Sequence, residues 1–89
     1  MGMMIIREDG ACELSAQDSP PALARARELV DGEIEVIDLY PYQMLISREA
    51  LGRNRRVNLK ASALAQRTIC GTALLLSGNS TYATRASGF

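Results

Sequence analysis

The chain predicts an α+β domain, a small and mostly antiparallel sheet of about four or five strands with one main helix packed on one face. Three observations carry this expectation. Short apolar, β-rich runs are separated by turn residues; one amphipathic stretch opens on Pro20-Pro21 and stops at Gly32; and 89 residues leave room for a single core.

Met3, Met4, Ile5 and Ile6 make the first strand, and Arg7-Glu8-Asp9-Gly10 turns it, because Asp-Gly favours a tight hairpin. Residues 11–16 return, with Cys12 and Leu14 on one face and Glu13 and Ser15 on the other. Next comes a helix start, where Asp18 or Ser19 can cap free amides and Pro21 suits the first turn. Leu23, Ala26 and Val30 follow at helical spacing, widened by Ala22 and Leu29, so a helix is expected over about 21–31. Gly32 supplies its left-handed stop.

Residues 33–40 are β-rich, yet their apolar parity changes between Val36 and Ile37, which requires either a bulge or cover on both faces. Pro41 closes this strand, and residues 43–47 pair with it across Tyr40-Pro41-Tyr42. Residues 48–60 are a loop by composition, and residues 60–66 offer a turn or two of helix around Ala61, Leu64 and Ala65. Residues 69–76 read as another buried strand. The domain is expected over 1–78, with 79–89 a loosely held tail whose only large apolar residues are Tyr82 and Phe89.

Composition narrows the chemistry. Histidine and tryptophan are absent, and the two cysteines, Cys12 and Cys70, lie far apart without a CxxC spacing. A zinc site would then need carboxylates to complete two thiolates, so no metal and no cofactor are expected. Ser47, Ser62 and both thiols lack a histidine to activate them, and no phosphate-binding glycine motif occurs. The expectation is therefore a non-enzyme. The apolar run Met3–Ile6 is too short for a signal sequence, Ile6 stands where a myristoylated start carries Ser or Thr, and no stretch could span a membrane. These features predict a cytoplasmic protein with reduced thiols. Its core must come from Leu, Ile, Val, Met and Ala, so a homodimer would be a natural way to bury more surface.

Charge is split along the chain. Residues 1–40 carry three arginines against nine acids, a net of −6, and residues 41–89 carry seven bases against Glu49, a net of +6. Two opposed surface fields are expected. Arg48, Arg53, Arg55, Arg56, Asn58 and Lys60 form the candidate anion- or partner-binding set, since guanidinium groups grip phosphates and carboxylates in pairs. Glu28, Asp31, Glu33, Glu35 and Asp38 form the candidate acidic interface. The plain alternative for both is solvated surface. Nucleic acid ranks behind a protein or a phosphorylated small molecule as partner, because the total charge is zero and no aromatics interleave with the arginines.

Residues 29–76 also resemble a family in order and spacing. The run Leu29-Val30-Asp31-Gly32-Glu33-Ile34-Glu35-Val36-Ile37-Asp38-Leu39 is similar to an "LVGGYIEVVPL" block, Glu49 with Asn58-Leu59-Lys60-Ala61-Ser62 to a second block, and Ile69-Cys70-Gly71-Thr72-Ala73-Leu74-Leu75-Leu76 to an "IVGTALLL" block. These blocks belong to the uncharacterised DUF3846 family of phages, plasmids and their hosts. Asp31 stands where the family has glycine, and Ser47-Arg48 where it has Asn-Glu; Arg53, Arg55 and Arg56 look like this chain's own addition. The resemblance implies a small non-enzymatic accessory protein of a mobile element. Together with the small size, the missing catalytic groups and the opposed charges, it gives the expectation of a protein that acts by binding in the host cytoplasm and inhibits a host defence component. A phosphorylated small molecule or nucleotide held by the basic loop is the alternative, and a nucleic-acid-binding module comes after it.

Overall fold

A computed structural model describes residues 2–16, 19–50, 52–53 and 55–82. Five strands form one antiparallel sheet in the order β2-β1-β5-β4-β3. In chain order these are β1 (Gly2–Ile6), β2 (Cys12–Ala16), helix α1 (Leu23–Val30), β3 (Ile34–Leu39), β4 (Tyr42–Ser47), helix α2 (Leu59–Ala65) and β5 (Ala73–Ser77). The α+β expectation holds, and the short helix expected over 60–66 forms as α2 on the opposite face of the sheet from α1.

Both hairpins form where turn chemistry places them. Arg7 N–H donates to Ala11 C=O and Gly10 N–H to Arg7 C=O, while Asp9 Oδ1 accepts the Ala11 amide at 3.0 Å. Gly10 supplies the positive φ (97°) that a three-residue loop needs. Across the second hairpin Leu39 faces Tyr42, and the Tyr40–Pro41 peptide is cis. The β3–β4 register runs from Ile34↔Ser47 to Leu39↔Tyr42 without a break, so no bulge sits at the parity change. Instead β3 is covered on both sides: Ile34 packs on the α1 side, and Ile37 and Leu39 on the other.

The sheet therefore separates two cores. Met3, Ile5, Leu45, Leu74 and Leu76 meet Ala26 and Val30 of α1 on one face. Ile6, Met44, Ile46 and Ala73 meet Ala61 and the loop residue Ile69 on the other. Central β5 contributes to both, which is why its run of Ala and Leu does not alternate with polar residues.

Several boundaries differ from the sequence expectation. Helix α1 starts at Leu23, with Ala22 as its uncapped N-cap, so Ser19 is not the cap; Asp18 lies outside the described residues. Pro21 is buried instead, and its carbonyl accepts the Tyr82 hydroxyl at 2.5 Å. The left-handed residue at the helix end is Asp31 (φ 62°), whose amide donates to Arg27 C=O. Gly32 is needed for another reason. At φ +151° a Cβ there would lie 2.5 Å from Ser47 Oγ and 2.7 Å from Glu49 Oε1. Gly32→Ala is thus expected to cost about 1–2 kcal/mol from strain and displaced contacts. A urea midpoint equal to the parent's would contradict it.

Strand β5 begins at Ala73 rather than at residue 69. Ile69 and Cys70 precede it as buried loop residues, and Cys70 makes only an isolated bridge to Val57. Cys12 is exposed and Cys70 buried, and both are free thiols. The folded unit also passes the expected boundary at 78. Gly78–Ser80 form a 3₁₀ turn with Ser80 fully buried, and Tyr82 packs on the α1-side core. The remainder of the expected tail, 83–89, lies outside the described residues. No helix among the described residues is long and apolar enough to cross a membrane.

Candidate functional site

The two oppositely charged halves of the sequence do not form two opposed surfaces. The β3–β4 hairpin folds the chain back, and the segment after β4 runs beside the acidic residues at the start of β3. Arg55 pairs with Asp31, and Arg67 reaches Glu35 at 3.7 Å. Arg53 lies 3.5 Å from both Glu49 Oε1 and the Asp31 carbonyl. Arg27 meets Glu33 at 3.6 Å. Glu49 also accepts the Glu33 amide at 3.3 Å, which makes it a hub between β3 and the loop. The expectation of two separate fields is corrected by this interleaving. Each pair is about half exposed, so each contributes at most about 1 kcal/mol, and its main effect is to cancel local potential.

The candidate residues divide accordingly. Arg48 donates to the Ile34 carbonyl at 3.3 Å, at the outer edge of β3. Glu28 pairs with Arg25 on α1, and Asp38 accepts the Tyr40 amide at 3.1 Å, far from the basic loop. Arg56 and Lys60 face another way, into a shallow cleft of about 650 Å³ beside Glu8, Asp9 and Gly10. Lys60 Nζ is already bonded to Gly10 C=O at 3.0 Å, and Glu8 Oε2 accepts the Arg56 amide at 3.1 Å. An incoming phosphate would meet two carboxylates with its two cations.

Asn58 does not belong to the binding set. It is fully buried, and its amide group donates to the Ile6 carbonyl at 2.9 Å and to the Gly71 carbonyl at 2.8 Å. Its Oδ1 accepts the Ala61 amide at 3.0 Å, capping α2. With every polar atom of its side chain engaged inside the fold, it fastens α2 to β1 and to the loop before β5 and has nothing left for a ligand.

A feature missed by charge counting lies on the α2 side of the sheet. Helix α2 is short and covers only the end near Ile6 and Ala73. At the other end Met4, Leu14, Tyr42 and Leu75 line an open groove of about 360 Å³, with Gly2, Ser15, Ala16 and Ser77 around it. Leu14 is 81% exposed and Tyr42 45% exposed. Among the described residues no charged side chain lines the groove. The signal for it was present in the alternation that put Leu14 with Cys12 on one face, but sequence alone does not tell that α2 stops short.

Among the described residues no group of three His, Cys, Asp or Glu side chains could hold a metal ion. Comparison with family models, curated proteins and solved structures finds no match to this chain.

Proposed function

We propose that this protein works by binding another protein through the uncovered half of its sheet, without covalent catalysis. The observation that carries this reading is the apolar groove between Leu14 and Tyr42, placed on a part of the sheet that neither described helix covers. Contiguous exposed apolar surface is retained on small soluble domains chiefly where something docks. The lack of charge among the described residues of its lining favours apolar side chains over phosphate or nucleic acid. A small accessory protein of a mobile element that inhibits a host defence component is consistent with this mode of action, and that setting rests on the resemblance of residues 29–76. The alternative, a phosphorylated small molecule at Arg56 and Lys60, is supported by their shared cleft and opposed by Glu8 and Asp9 within it.

The test is affinity capture with Tyr42→Glu beside the parent. Tyr42 is half exposed on the groove wall, so the charge is tolerated by the fold but not by an apolar partner. A stoichiometric protein held by the parent should be lost by at least about tenfold in affinity with the variant, the scale of burying one unpaired charge. Equal recovery of the same proteins by both would refute the reading.

A further inference from the structure

We propose that a second copy of this chain pairs with the open edge of β2, antiparallel and centred on Leu14, so that two sheets join across a twofold axis. This builds on the binding reading above and names the partner that meets the edge of the groove.

The ladder sets which backbone groups are available. Arg7 N–H donates to Ala11 C=O at 2.8 Å, and the β1–β2 register continues in step from that pair to Gly2↔Ala16. Bonded and non-bonded pairs alternate along an antiparallel ladder, so Ala11, Glu13 and Ser15 turn their backbone groups to β1. Cys12, Leu14 and Ala16 turn theirs outward, where no strand among the described residues follows β2. All three residues are exposed.

Centred on Leu14, the strand is its own complement. Leu14 meets Leu14 of the other copy and Cys12 meets Ala16, each pair exchanging both backbone hydrogen bonds. Glu13 meets Ser15, and each Glu13 already has its counter-charge in Arg7 at 2.8 Å. No like charges stand opposite one another. The twofold axis is perpendicular to the sheet, so both leucines stay on the groove side and cover each other's exposed flanks.

The other sheet edge is built to refuse such pairing. Arg48 N–H donates to Glu33 C=O, so Ile34, Val36 and Asp38 are the residues of β3 that turn outward. The Ile34 carbonyl is taken by the Arg48 guanidinium. Pairing β3 with its copy would also bring three acids of each chain, Glu33, Glu35 and Asp38, onto adjacent strands, where pairing of β2 brings only Glu13.

Sedimentation velocity of the full chain between about 1 and about 300 µM covers the range in which a modest strand-to-strand interface assembles. A concentration-dependent dimer is expected for the parent, and a monomer with an unchanged circular dichroism spectrum for Leu14→Lys. Register is read separately in a Cys12→Ser background. There Leu14→Cys should form a covalent dimer on mild oxidation, and Ser15→Cys, which faces Glu13 on the other side of the sheet, should not. A parent that stays monomeric throughout, or equal cross-linking by both variants, overturns the pairing. A monomeric parent with Tyr42-dependent protein capture would remove the dimer and keep the binding reading. A dimeric parent that captures nothing would do the reverse.

Discussion

Asn58→Ala is expected to lower the unfolding free energy by about 3 kcal/mol. The loss has two parts. Removing the α2 cap costs about 1 kcal/mol, and taking the buried amide donor away from the Ile6 and Gly71 carbonyls accounts for the remainder. A domain of this size has roughly 5 kcal/mol to lose, so the variant should be measurably unfolded in mild denaturant. Urea unfolding should show a lowered midpoint with an unchanged slope. Asn58→Asp preserves the cap acceptor but removes both donors and places a carboxylate beside two carbonyls, so it should be no better. A midpoint change worth less than about 1 kcal/mol in either variant would mean that water reaches the site and that α2 is held by its apolar contacts alone.

That result bears on how much could be read before folding. Residue type and spacing pointed correctly to both hairpins and to the body of α1, because those depend on neighbours in sequence; for β3 they left a bulge and two-sided cover equally open. Asn58 was grouped with the arginines because it is surrounded by them. Its actual role depends on Ile6 and Gly71, which are 52 and 13 positions away. The charge split failed in the same way. Linear blocks of opposite sign became interleaved because one hairpin set Asp31 and Glu35 against Arg55 and Arg67. The groove was hidden for a further reason: an exposed Leu14 is defined by the helix that fails to reach it, and no local pattern encodes that shortfall.

Gln43→Ala is the second substitution expected to have a large effect, about 2–3 kcal/mol, and it acts on residues that composition had assigned to a loose tail. Gln43 is 1% exposed in the middle of an apolar sheet face. Its side-chain amide pairs with the backbone of Tyr82 in both directions, donating to the carbonyl at 2.9 Å and accepting from the amide at 2.6 Å. Tyr82 in turn covers the core under α1, and its hydroxyl bonds the Pro21 carbonyl at the helix entry. Cutting the clasp should release residues 78–82 together with that cover, so hydrogen exchange at the Tyr82 amide should accelerate far more than exchange in β4. Burial also raises the Tyr82 phenol above its ordinary value of 10.0. Its contribution to stability is therefore complete below that pH and is lost as the pH rises through the raised folded value. In Gln43→Ala the phenol is solvated in both states, and this alkaline loss should shrink. Retention of the parent's exchange protection at Tyr82 would show that the ring and Ser80, not the clasp, hold the end of the domain in place.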